Sequence, residues 1–100
     1  MTKGVQLEWA LLSVGPGWAG ILKELYAKLP KDTYVTTVKE KLGGLRFYTG
    51  GISERTSNLI DKAEEQSTHT CEICGKEGEI LERQGWYSCR CPKHAEGKAR

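Results

Sequence analysis

Long apolar runs are absent from this chain. Leu11-Leu12 and Ile21-Leu22 are its densest spots, far short of the ~20 residues that a membrane-spanning helix needs, so no membrane partner is expected. Met1-Thr2-Lys3-Gly4 opens no secretory signal. An oxidising compartment and a disulfide framework are therefore not expected either. Internal repeats and low-complexity tracts are missing too. Charge of one sign is scarce: the formal net charge is +2, spread as +3 over residues 1–49, −2 over 50–70 and +1 over 71–100. A general nucleic-acid binder shows a clearer basic excess, so any nucleic acid must be held by a local patch. Histidine is limited to His69 and His94, and no Ser/His/Asp set stands at a recognisable spacing. Catalysis finds little footing, and the chain reads as a non-enzyme.

What is present is concentrated near the C-terminus. Cys71-x2-Cys74-Gly75 is followed, after a hairpin-length gap, by Cys91-x2-His94. Two close pairs of soft donors give the spacing of a structural Zn2+ site with four tetrahedral ligands. Cys91 and His94 face the same side if a helix starts there, and Pro92 suits its first turn because the missing N–H had no partner anyway. Cys89 is an alternative ligand, since an all-cysteine set is chemically feasible. Its other reading is a small buried apolar residue on a strand. Between the pairs, residues 79–88 read as strand, turn at Gln84-Gly85 and strand, with Trp86 expected to pack the hairpin onto the rest of the protein. Knuckle, hairpin and short helix is the order of a treble-clef-like zinc finger. A unit of about thirty residues cannot bury enough apolar surface to fold alone, so the metal carries folding energy. Three thiolates and one Zn2+ would bring the net charge to about +1.

Upstream, residues 5–14 are ambiguous between strand and helix, and Gly15-Pro16-Gly17 ends them. Trp18, Ile21, Leu22, Leu25, Tyr26 and Leu29 then recur at helical spacing until Pro30 stops the pattern. The glycine-rich turn before Trp18 could offer amides to an anion, but a turn that anchors Trp18 in the core is the simpler reading. Thr33–Leu42 and Leu45–Thr49 read as two strands, and Gly50-Gly51 breaks the chain again. Ser53 is a plausible N-cap for a second helix with Ile52, Thr56, Leu59, Ile60, Ala63 and Ser67 on its inner stripe. His69, just before the first knuckle, is a rival ligand or a surface residue at a helix end. The expected fold is α+β: a helix–β-hairpin–helix body over residues 1–70, with a basic hairpin at 33–49, and a zinc-finger unit over 71–100 packed upon it.

A two-residue turn at Gly43-Gly44 pairs Leu42 with Leu45, Lys41 with Arg46, Glu40 with Phe47 and Lys39 with Tyr48. Alternation then gathers Lys39, Lys41, Arg46 and Tyr48 on one face, the candidate partner-binding surface. Tyr34, Val38, Leu42, Leu45 and Phe47 fall on the other, with Glu40 an awkward intruder. Like charges directly opposite cost roughly a fraction of a kcal/mol, which a design for fold alone would avoid. The bland reading is a solvated strand face whose lysines guard against aggregation.

The run Val38-Lys39-Glu40-Lys41-Leu42-Gly43-Gly44-Leu45-Arg46-Phe47-Tyr48, preceded by Gly17-Trp18 and followed by Cys71-x2-Cys74-Gly75, Gly85-Trp86 and Cys91-x2-His94, resembles a group of small phage, prophage and bacterial proteins. The resemblance spans about Gly15 to Ala95. It implies a mobile-element protein acting in the bacterial cytoplasm, and Cys91 as the third ligand. Two functions follow as expectations. One is a non-catalytic module that captures a host protein, such as an inhibitor of a defence system, through the basic hairpin or the acidic face of Glu54, Asp61, Glu64 and Glu65. The other is direct binding of nucleic acid through the basic hairpin, aided by Arg83, Arg90 and Lys93.

Overall fold

A computed structural model describes residues 2–51 and 53–95. Lys3–Gly4 forms a two-residue strand, β1, followed by helix α1 over Leu7–Ser13. A 3-10 turn at Pro16–Trp18 leads into α2, Ala19–Lys28. Strands β2 (Tyr34–Lys41) and β3 (Gly44–Gly50) precede α3, Glu54–Ser67. Strands β4 (Glu79–Arg83) and β5 (Trp86–Arg90) then lead to α4, Pro92–Ala95. The protein is thus α+β. Among the described residues no helix is long and apolar enough to cross a membrane.

The segment 5–14 resolves as helix, α1, and the strand β1 lies just before it. Lys3 and Gly4 pair in parallel with Tyr34 and Val35, and the Val5 amide continues the ladder to the Val35 carbonyl before α1 begins. Leu29 takes an extended conformation with ψ 144°, as the residue before Pro30 must to avoid the proline ring. Ser53 caps α3 by accepting a hydrogen bond from the Thr56 amide at 3.2 Å. Thr56, Ile60, Ala63 and Ser67 are buried on that helix at spacings of four, three and four. Ile52, placed on the same stripe by the sequence, lies outside the described residues.

Sheet order is β1-β2-β3, and α1, α2 and α3 pack on one face of it. Trp18, Leu22, Val35, Leu45 and Phe47 are fully buried there. Each contributes on the order of 1.5–3 kcal/mol by leaving water. Tyr26 meets Phe47 edge-on, with centroids 5.6 Å apart, while its hydroxyl donates to the Val5 carbonyl. β3 would otherwise present a bare edge. Ser67 Oγ accepts from the Leu45 amide and Glu64 Oε2 from the Phe47 amide, each at 2.9 Å, so α3 closes the edge against stray pairing.

The hairpin differs from expectation in two ways. Its turn is Leu42-Gly43, not Gly43-Gly44: Lys41 faces Gly44, Glu40 faces Leu45, Lys39 faces Arg46 and Val38 faces Phe47. Glu40 explains the choice, because its carboxylate accepts the Gly43 amide at 2.7 Å and ties the turn together. Leu42 has φ +56° and Gly43 φ +85°, as a type I′ turn requires. The turn moves one position along each strand, so no face is inverted and Lys39, Lys41, Arg46 and Tyr48 still share one side. The second difference is a bulge between Val35 and Thr37. It turns Val35 inward and leaves Tyr34, expected inside, 53% exposed. Leu42, at the turn, is equally exposed.

The register can be checked at one residue. A leucine with φ +56° is strained by roughly 1 kcal/mol, whereas asparagine tolerates that conformation. Leu42→Asn should therefore raise the unfolding midpoint in a thermal melt by a few degrees. With the turn at Gly43-Gly44 the same substitution would sit in a strand pair and lower it.

Candidate metal centre

After α3 the chain makes a turn, and Thr70 bridges antiparallel to Glu77. Between them Cys71–Cys74 forms a knuckle in which the Gly75 amide donates to the Cys71 carbonyl and the Cys71 amide to the Lys76 carbonyl. β4 and β5 pair antiparallel around Gln84-Gly85, as the sequence suggests, with Arg83 opposite Trp86. Pro92 opens α4, and the His94 and Ala95 amides both turn back to the Cys91 carbonyl.

This path brings Cys71, Cys74, Cys91 and His94 together, all four donor atoms within 4.8 Å of one another. Cys74 Sγ lies 3.6 Å from Cys91 Sγ. His94 Nδ1 lies 3.6 Å from Cys71 Sγ and 3.3 Å from Cys91 Sγ. A tetrahedron with ~2.3 Å metal–sulfur and ~2.0 Å metal–nitrogen bonds has edges of about 3.8 and 3.5 Å. The spacing thus fits one ion with these four ligands.

The two buried thiols that matter differ in chemistry. Burial alone would raise the Cys71 thiol, but the amides of Cys74, Cys91 and Ile73 aimed at its sulfur outweigh that and bring it down to about 6. It is ready to ligate as a thiolate. Cys89 is also fully buried, and burial pushes its thiol up to about 11. It belongs to the hydrophobic core, not to the four-donor cluster. His69 is likewise outside the cluster. Its Nε2 meets Glu65 at 3.0 Å on the exposed surface.

The finger is joined tightly to the N-terminal half. The Gly17 amide donates to the Glu72 carbonyl at 2.8 Å, and the Trp18 indole N–H to the Thr70 carbonyl at 2.9 Å. A Cβ on Gly17 would overlap the Cys71 carbonyl oxygen, so this close approach demands glycine. The Gly15-Pro16-Gly17 turn therefore spends an amide on the knuckle instead of on an anion. Glu72 also donates its amide to the Cys89 carbonyl, and its side chain meets Arg90 at 3.2 Å with both groups largely buried. Arg90 is thereby committed to structure.

Trp86 departs from expectation. It is 76% exposed and does not pack the hairpin inward. Alternation from the buried Cys89 sends Trp86, Ser88 and Arg90 to the outer face of β5, where they meet Leu81 and Arg83 of β4. A shallow groove of about 200 Å³ lies there, closed by Glu72 and Ala95. The basic hairpin places Lys39, Lys41 and Tyr48 on an exposed face with Arg46 half-buried beside them. On the acidic helix, Glu64 is engaged with the Phe47 amide and Glu65 with His69, while Glu54, Asp61 and Glu65 are exposed. Set against models of protein families, characterised proteins and solved structures, the chain matches none.

Elemental analysis of the purified protein should find one zinc per chain, released on acidification because the ligands must be deprotonated to bind. Cys91→Ser should abolish it. Cys89→Ala should keep one zinc and lose only about 1 kcal/mol of stability. Loss of metal from Cys89→Ala with retention in Cys91→Ser would reverse the ligand assignment. Gly17→Ala, though far from the donors in sequence, should lower zinc affinity in a chelator competition by tenfold or more, on the order of 1.4 kcal/mol.

Proposed function

We propose that this protein is a non-catalytic, zinc-stapled binding module of phage or mobile-element type that captures a host protein inside a bacterial cell. In this reading residues 1–70 are the body and 71–100 a treble-clef-type finger docked on it. The knuckle, hairpin and short helix in that order support the finger assignment. Four protein donors fill a tetrahedral zinc, so the ion has no open position for a water or substrate and serves structure. The motif string from Gly17 to His94 supports the mobile-element origin.

The observation that carries protein capture is Trp86. A tryptophan 76% exposed next to a half-exposed Tyr87, on a two-stranded hairpin pinned by the metal, is a rigid aromatic anchor. Tryptophan and tyrosine dominate the energetic centres of protein interfaces, and rigidity lowers the entropy lost on binding. The adjoining groove, with Leu81 in its floor, gives a partner side chain somewhere to seat. An inhibitor of a defence protein is one function such a stoichiometric binder would serve.

Tagged, zinc-loaded protein should retain one host protein from a bacterial lysate, with or without nuclease treatment. Trp86→Ala, zinc-loaded and folded, should release it with a loss of about 2 kcal/mol or more, roughly a thirtyfold rise in Kd. Retention undiminished by Trp86→Ala, or no retained protein at all, would sink the reading.

A further inference from the structure

The open face of the β1-β2-β3 sheet has a composition that protein capture through Trp86 does not use. Cross-strand partners share a face, so the register puts Lys3 beside Tyr34, Tyr34 beside Gly50, Thr37 beside Tyr48, Lys39 beside Arg46 and Lys41 beside Gly44. Four basic side chains and two tyrosines therefore point away from the helices, and no carboxylate stands among them. None of Lys3, Lys39, Lys41 and Arg46 is held in an ion pair among the described residues. Tyr34 is 53% and Tyr48 47% exposed. Gly50, opposite Tyr34 and next but one to Tyr48 along β3, has no side chain to fill the space between the two rings.

We infer that this face binds a single-stranded nucleic acid, with Tyr34 and Tyr48 stacking on bases and Lys3, Lys39, Lys41 and Arg46 neutralising phosphates. The charge pattern alone suits any polyanion. The two rings set among the charges select the occupant, because bases offer flat π-faces whereas acidic protein surfaces do not. A duplex buries those π-faces in its own stack, so a sheet with projecting tyrosines favours unpaired strands. The low net charge of the chain is no obstacle, since the four bases are local to one face and the acids lie elsewhere. The like-charged Lys39–Arg46 pair, unfavourable for the hairpin itself, is relieved when a phosphate lies between its members. This inference stands on residues distinct from Trp86, so it survives or fails independently of protein capture.

Fluorescence anisotropy with the zinc-loaded full chain tests it, using labelled oligo-dT and oligo-rU of about 16 nucleotides, the upper size of a small stacking site. A duplex of the same length and a labelled polyglutamate peptide serve as controls. Single strands should bind at least tenfold tighter than either control. Log K should fall against log salt with a slope between about −2 and −3, as three or four phosphate contacts on a single strand require, and Lys41→Gln should reduce that slope by about 0.7. Tyr34→Ala and Tyr48→Ala should each weaken binding by about 5- to 150-fold with the slope unchanged, while Tyr34→Phe and Tyr48→Phe should bind as the wild type does. Zinc content of each variant checks that it folds. Equal affinity for polyglutamate would show an acidic protein surface as the occupant and overturn the inference. Indifference to both tyrosine-to-alanine variants, or no binding at low salt, would overturn it as well.

Discussion

The hydrogen bond from the Gly17 amide to the Glu72 carbonyl, with the Trp18 indole seated on Thr70 beside it, is the joint on which both halves depend. The finger contributes Cys89 to the same hydrophobic core as Trp18, Leu22 and Phe47. The body in turn supports the backbone on both sides of Cys71, whose thiol is brought down to about 6. Metal binding in small finger units is worth on the order of 10 kcal/mol, comparable to the whole stability of a domain this size. Because the knuckle is part of the core boundary, energy from a metal bound at these four donors would be shared with α2 and the sheet through Gly17 and Trp18.

The same economy shapes what the protein leaves exposed. Its β3 edge is closed by Ser67 and Glu64 from α3, so pairing through that edge is blocked. The buried Glu72–Arg90 pair links the knuckle to β5 and removes Arg90 from any charge patch. Among the surfaces left exposed are a sheet face and the outer side of the finger hairpin. The finger hairpin's outer side carries only a shallow groove.

Much of this was legible in sequence wherever one residue type carries a fixed chemical meaning. The C-x2-C and C-x2-H pairs, the Ser53 cap, the Pro30 stop and the Gln84-Gly85 turn each rest on a local rule that tertiary contacts did not override. The basic face was legible too, since moving the turn by one position on both strands preserves alternation. The misses are those where two local rules competed. Gly43-Gly44 satisfies a type I′ turn on its own, yet the Glu40 carboxylate reaches the Gly43 amide only if Leu42 enters the turn, and that acceptor decides the register. A bulge at Thr36 resets the alternation, and period-two reasoning cannot anticipate it, so Tyr34 was assigned to the wrong face. Tryptophan is usually buried, but alternation from a buried Cys89 turns Trp86 outward.

The two hairpins are built by one device and used for opposite ends. Glu82 accepts the Gly85 amide at 2.7 Å as Glu40 accepts that of Gly43, and Gln84 takes φ +55° where Leu42 takes +56°. Turn chemistry is therefore the same, and the difference lies in what surrounds each tip. A Cβ on Gly43 would meet the Ile80 side chain and the backbone of Ser88, so the first turn is wedged against the finger and helps to hold it in place. A Cβ on Gly85 would meet nothing within 4 Å, so the second turn stands clear of the protein and carries Trp86 with it. Rigidity at an otherwise free tip has to come from within the hairpin. The Glu82 carboxylate ties the turn at one end, and Cys91 and His94 of the four-donor cluster stand at the other.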